Sequence, residues 1–196
     1  MRKSEITRKT SETDINLALN IDGAGEYSID TGVGFFDHML TLFSRHGKFD
    51  LSVKCIGDTH IDAHHTVEDV GIVLGETFAQ ALGDMRGIRR YGDITLPMDE
   101  ALVLCAVDIS GRSHLSLDVS LTTASVGVFD SELFEEFLQA FTRKAGITVH
   151  IHKFSGKNTH HIIEAAFKAL ARALRIAVSI DGGARDEIPS TKGMLV

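Results

Sequence analysis

The sequence predicts an α+β fold made by internal duplication, with the helices of two βαβα-type halves sandwiched between two β-sheets. Three observations carry that expectation. A pair of histidines with a glutamate on the same helical face occurs twice, as His64-His65-Thr66-Val67-Glu68 and His160-His161-Ile162-Ile163-Glu164, 96 residues apart in a chain of 196. Upstream of each pentad the pattern recurs: Phe36, Leu40, Phe43 and Arg45 return as Phe134, Leu138, Phe141 and Arg143, and Leu51 and Val53 as Val149 and Ile151. In both copies the hydrophobic period passes from two to about 3.6, strands first and helices after, as in an ancient repeat. Strands followed by helix, strand and helix put the helices of each half on one sheet face.

Each element has its own signal. Ile15, Leu17, Leu19 and Ile21 alternate with Asn16, Ala18, Asn20 and Asp22, the period of a half-buried antiparallel strand. Leu115, Leu117, Val119 and Leu121 do the same in the second half. A shorter helix is predicted over 35–45 and again over 131–145, with Gly47 and Gly146 as stops. One strand follows each, at 49–56 and 147–153. The long helices fall at 63–82 and 159–178. Their stripes, Val67, Val70, Leu74, Phe78 and Ala81 and then Ile163, Phe167, Leu170, Leu174 and Ala177, have helical spacing and are core. The halves are expected at 1–88 and 89–181 of one compact domain. Residues 182–196 form a polar tail with Pro189 and Ser190 that reads as a mobile cover.

Hydrophobic residues make up 43% and charged residues 24%, which is ordinary for a soluble globular protein. A net charge of -7 argues against a nucleic-acid or anionic-membrane surface. Cys55 and Cys105 lie in apolar runs that read as buried strands, Leu51–Ile56 and Ala101–Val107. Two such cysteines and no signal peptide point to a reducing cytoplasm. No apolar run reaches the roughly 18 residues of a membrane span.

The pentads carry the chemistry. Neutral imidazole and carboxylate are ligands for borderline divalent metals. On a helix, His64 and Glu68 share a face while His65 points about 100° away, so one pentad can serve two metals. A single copy is equally a solvated helix start with a favourably placed acid. Two copies at matching places in a repeat favour a paired metal site. Lys168 lies one turn beyond Glu164, where the first half has Ile72, so a cation stands beside only one pentad.

Several longer motifs then become specific. Asp30-Thr31-Gly32-Val33-Gly34-Phe35-Phe36-Asp37-His38-Met39-Leu40, Asp62-Ala63-His64-His65-Thr66-Val67-Glu68-Asp69 and Ser155-Gly156-Lys157-Asn158-Thr159-His160-His161 closely resemble imidazoleglycerol-phosphate dehydratases of histidine biosynthesis. So do Pro97-Met98-Asp99-Glu100, Asp108-Ile109-Ser110-Gly111-Arg112 and Pro189-Ser190-Thr191-Lys192-Gly193. The resemblance runs through essentially the whole chain in order. It implies a duplicated, ribosomal protein S5 domain 2-like fold and a lyase that dehydrates imidazoleglycerol phosphate, a small molecule, to imidazole acetol phosphate. It also implies two Mn ions per site, with other divalent metals possible, and a shell-like homo-oligomer of about 24 subunits with sites at subunit interfaces.

By the same resemblance the metal ligands are His38, His64, His65, Glu68, Glu136, His160, His161 and Glu164. Glu136 stands where the repeat matches His38, and its other reading is an exposed acid on a solvated helix. Glu12 is the implied proton-abstracting base, beside Glu68 and Glu164 as catalytic ligands. Arg90, Arg112, Lys168, Ser190 and Lys192 are implied phosphate contacts, with His46 and Asp99 as further substrate contacts. His60, His114, His150 and His152 are left as core or surface histidines. Two other classes stay open: a dinuclear metallohydrolase, which would lean on bridging carboxylates and an activated water, and a metal-stapled, non-catalytic shell protein.

Overall fold

Each half contributes one four-stranded sheet, and the two sheets have the same topology. The computed structural model describes residues 2–183 and 186–195. The first half runs β1 (Lys3–Lys9), β2 (Thr13–Asn20), β3 (Tyr27–Asp30), α1 (Gly34–Gly47), β4 (Asp50–Gly57) and α2 (His64–Leu82). The second runs β5 (Tyr91–Met98), β6 (Ala101–Asp108), β7 (His114–Asp118), a small hairpin β8 (Ser125–Val126) and β9 (Phe129–Asp130), α3 (Glu132–Ala145), β10 (Thr148–Ser155) and α4 (Thr159–Ala177). Strand orders β1-β2-β4-β3 and β5-β6-β10-β7 correspond one to one. In each sheet the last pair is parallel, β3 with β4 and β7 with β10, and a helix makes the crossover.

That correspondence corrects one expectation. The strand matching Ile15–Ile21 is β6, which pairs with β10 as β2 pairs with β4; the segment 115–121 supplies β7, the counterpart of β3. β7 ends at Asp118, and Leu115 and Leu117 are only partly covered because the strand lies at a sheet edge. In β6 the outward positions Leu102, Leu104 and Ala106 are apolar too, so a central strand reads as a run instead of an alternation. The edge strand β1 carries Ile6 alone among polar residues, and nothing in its sequence announced it. Gly146 is the left-handed cap of α3 as expected, with φ 64°. Gly47 is not a stop: Lys48 takes the left-handed cap of α1, and Gly47 is small because a Cβ there would meet the Phe49 ring at 2.5 Å.

The helices lie between the sheets, and they cross over between halves. α2 rests on β1 and β2 and packs against α3, while α4 rests on β5 and β6 and packs against α1. Both predicted stripes are buried, and one continuous core spans the two halves. Fully buried phenyl rings cross the junction, Phe36 against Phe137 at 5.3 Å and Phe78 against Phe141 at 5.8 Å. Cys55 and Cys105 are free and buried; burial pushes both thiols up, Cys55 to about 11. No helix among the described residues is long and apolar enough to cross a membrane.

Gly75 on α2 sits where a Cβ would lie 2.6 Å from the Phe141 carbonyl oxygen and 2.7 Å from the Lys144 Cβ of α3. Gly→Ala inside a helix ordinarily gains up to about 1 kcal/mol in propensity. Here the clash is with backbone, so overpacking of about 1–3 kcal/mol decides the sign. We expect Gly75→Ala to lower the denaturant midpoint without changing the m-value.

Asp50 secures the turn before β3: its Oδ1 accepts from the backbone N–H groups of Ala24 (2.8 Å), Gly25 (3.1 Å) and Glu26 (3.1 Å). Partial burial pushes its carboxyl up, but these donors, with Asn20, more than offset it and hold it below the ordinary value. A depressed folded pKa gives stability that is present above the unfolded aspartate value of about 3.9 and lost as the pH falls through the lower folded one. Urea midpoints measured from pH 6 down to 2 should therefore fall less steeply in Asp50→Asn than in the parent chain.

Candidate metal and phosphate sites

Both pentads open helices, and the loops before them set the histidines. The Asn158 side chain caps α4, accepting from the backbone N–H groups of His160 (3.0 Å) and His161 (3.4 Å). Asp62 Oδ1 accepts from the His64 N–H at 2.8 Å in the equivalent place before α2. The adjacent rings then diverge as helical geometry requires, with interplanar angles of 89° for His64/His65 and 78° for His160/His161.

In the second pentad His160 Nε2 lies 3.1 Å from Glu164 Oε2, on the shared i, i+4 face. His38 of α1 brings its Nε2 to 3.4 Å from the same oxygen. The three ligating atoms lie within 4.8 Å of one another, from helices 126 residues apart in sequence. Such convergence of two imidazole nitrogens on one buried carboxylate is the donor set of a borderline divalent metal. Phe35 packs edge-on against His160 at 5.1 Å and is itself backed by Phe129 of the β8–β9 hairpin. Among the described residues the first half has no counterpart to that hairpin.

Lys168 completes this side. Its ammonium bonds Glu164 Oε1 at 2.5 Å and Met98 Sδ at 3.4 Å. Burial pushes the Glu164 carboxyl up, but the Lys168 bond and charge, then His38 and His160, more than offset it and leave it below its usual range. His46, one helix over, is pushed down, first by burial and then by the charges of Lys168 and Arg172.

The first pentad is arranged differently. Among the described residues His64, Glu68 and Glu136 form no comparable cluster. Glu68 instead faces Arg143 of α3 at 3.6 Å, and Glu136 is half-buried on that same helix. His65 and His161 each direct Nδ1 to a carboxylate, Asp58 Oδ2 at 2.9 Å and Glu100 Oε2 at 2.7 Å. These bonds raise the pKa of both imidazoles. On the opposite nitrogens, Glu12 Oε1 lies 3.8 Å from His65 Nε2 and Asp99 Oδ2 3.8 Å from His161 Nε2.

The cations form a second centre. Arg90, Arg112, Ser190 and Lys192 line one cavity of about 390 Å³. Arg90 is held by Asp108 through two bonds, 2.7 and 3.2 Å, and donates to the tail carbonyl of Pro189 at 2.9 Å. Its φ is 71°, a left-handed value that a side chain rarely adopts and that clusters at functional positions. Within one chain, however, this cavity does not adjoin the metal cluster. β5 runs from Tyr91, next to Arg90, to Met98, beside Lys168, roughly 23 Å at about 3.3 Å per residue. The expected convergence of Arg90, Arg112, Lys168 and Lys192 beside the metals therefore does not occur inside a single chain.

A family model described as imidazoleglycerol-phosphate dehydratase matches residues 31–174, which include both pentads. The chain belongs to the imidazoleglycerol-phosphate dehydratase family. The imidazoleglycerol-phosphate dehydratase of Jannaschia sp. (strain CCS1) is 58% identical over 195 residues, covering 100% of each chain. That of Desulforamulus reducens is 60% identical over 194 residues, covering 99% of this chain and 98% of its own. Among solved structures, the dehydratase of Staphylococcus aureus superposes with a TM-score of 0.84 at 42% identity, covering 91% of this chain and 99% of that one. That of Pyrococcus furiosus gives 0.83 at 37% identity, covering 97% and 100%.

The family motifs fall around the histidine pairs. His38, His64, His65, His160 and His161 all lie at or near helix N-termini, and the Pro97–Glu100 segment forms the β5–β6 turn beside His161. Four residues around the dehydratase motifs had escaped the sequence reading: Asp58 and Glu100 as imidazole partners, Asp108 as the partner of Arg90, and Phe129 behind Phe35. Glu100 and Asp108 stood inside quoted motifs without a job. Asp58 and Phe129 gave no signal, because only the folded chain brings them in. His60, His114 and His150 are exposed and His152 is half-buried, as surface histidines.

Proposed function

We propose that this chain dehydrates imidazoleglycerol phosphate to imidazole acetol phosphate in histidine biosynthesis, at sites that hold two divalent metals and are shared between subunits. The observation that carries the reading is the convergence of His38, His160 and Glu164 within 4.8 Å. When bound, two such ions would act as Lewis acids on the two nitrogens of the substrate ring. Mn is the metal that the family resemblance implies. His64, His65, Glu68, His161 and Glu136 complete the ligand sets in this reading. The three donors of this one cluster leave its ion short of a full shell and the first pentad forms no such cluster, so a neighbouring subunit supplies the rest.

The phosphate end supports the same sharing. A substrate of one five-membered ring and a three-carbon phosphate is much shorter than the length of β5. The Arg90, Arg112, Ser190 and Lys192 cavity of one subunit therefore serves the metals of another, with bidentate arginine as the main phosphate grip. Lys168 stands on the metal side, where it neutralises Glu164 and reaches toward the substrate with His46 and Asp99. Glu12, exposed and beside His65, is the group we assign to take the proton from the substrate carbon. Ser190, Thr191, Lys192, Met194 and Leu195 of the tail line the cation cavity. Assembly into a homo-oligomer of about 24 subunits follows the resemblance. Histidines outnumber acids among the ligands, which suits an azole substrate better than a hydrolase's activated water.

Exhaustive chelation should abolish dehydration and reduce the particle mass seen by light scattering, and Mn should restore both; full activity in verified metal-free protein would falsify the metal reading. Glu164→Gln should deplete metal and activity together. Lys168→Met removes a cation but no ligand. It should keep its metal and lose about 1.5–3 kcal/mol of charge-assisted contact, roughly ten- to two-hundred-fold in kcat/KM.

A further inference from the structure

Glu100 lies in the exposed turn between β5 and β6, yet its two carboxylate oxygens do separate jobs. Oε1 accepts from the backbone N–H groups of Asn158 (2.8 Å) and Lys157 (3.2 Å), tying the turn to the loop that caps α4. Oε2 accepts from His161 Nδ1 at 2.7 Å. We infer that Glu100 is a positioning residue that fixes the tautomer and aim of His161: with the proton held on Nδ1, the lone pair sits on Nε2, ready for a metal. The inference rests on the metal reading above. An imidazole ligand is commonly held this way by a carboxylate on its other nitrogen.

The first half repeats the arrangement with a residue that is not the counterpart. His65 Nδ1 is held by Asp58, which follows β4. In the second half the place after β10 that matches Asp58 is Gly156. In the first half the residue before β2 that matches Glu100 is Glu12, and it lies near Nε2 at 3.8 Å. Duplication alone would have put the acceptor on the same loop twice. Two non-equivalent loops deliver a carboxylate to the same nitrogen of matching histidines, which is what a shared chemical requirement produces.

An isosteric change separates positioning from anchoring. In Glu100→Gln the amide oxygen can keep the two backbone N–H bonds, which leaves the NH2 facing His161 Nδ1. The flipped amide would set its NH2 against two backbone donors, so it is disfavoured. Nδ1 must then accept, the proton moves to Nε2, and the metal-facing lone pair is lost. The test uses the full-length assembled protein and titrates Mn alone against a competing chelator, alongside the melting temperature of the chelated protein. Glu100→Gln should bind Mn about 10- to 100-fold more weakly at an unchanged melting temperature, whereas Glu100→Ala should lose both. Wild-type Mn affinity in Glu100→Gln would reduce Glu100 to a loop anchor and overturn the inference. So would an affinity loss matched by a fall in melting temperature. If the parent chain itself binds no Mn, the metal reading fails first and takes this inference with it.

Discussion

Helix α1 lies against α4, and α2 against α3, so each half lends its short helix to the long helix of the other. That crossed packing brings His38 from the first half to His160 and Glu164 of the second, across 126 residues of sequence. It also explains why the core is one cluster and why small residues sit on α2: Gly71 and Gly75 let the backbone of α3 approach to van der Waals contact. A protein interior packed to crystal density fixes relative helix positions to fractions of an ångström. Ligand geometry at the surface end of those helices inherits that precision, which loops alone would not give.

Charge is distributed to match. The chain is acidic overall, at -7, and it spends its carboxylates beside imidazoles while gathering arginine and lysine at the far end of β5. Two of the cations are restrained by carboxylates: Arg90 by Asp108, Lys168 by Glu164. Restraint lowers the entropy lost when an anion binds. In the proposed function, a half-site for metal and a half-site for phosphate on one subunit, too far apart to meet, make self-assembly part of the chemistry. The pseudo-symmetry of the halves suits a ring with two similar nitrogens. Symmetry breaks at Lys168 against Ile72 and at the β8–β9 hairpin behind His160, and in the proposed function these places would give the substrate a direction.

Much of this was legible before the fold. The four helices and the strands β2, β4 and β10 follow from period and punctuation, because each presents one buried face. β1 failed because an edge strand with polar neighbours has no hydrophobic pattern to read; β6 was legible as a buried apolar run, but apolar residues on both faces hid its match to β2, and 115–121 was given that place. The ligand histidines were visible as a doubled motif. Their orienting carboxylates were not: Asp58 and Glu100 act from loops, and a hydrogen bond across 7 or 61 residues leaves no periodic trace. The separation of the cation cavity from the metal cluster is a property of how α4 lies along β5, and no spacing in the sequence encodes it.

In the proposed function, duplication built two metal positions, one per pentad. The most direct measurement is metal stoichiometry at saturation, by elemental analysis of the assembled protein after Mn loading and removal of excess, with dehydration assayed on the same samples. Two Mn per chain, with turnover rising as the second position fills, is the predicted result. Full turnover at one Mn per chain, or at none, would contradict it.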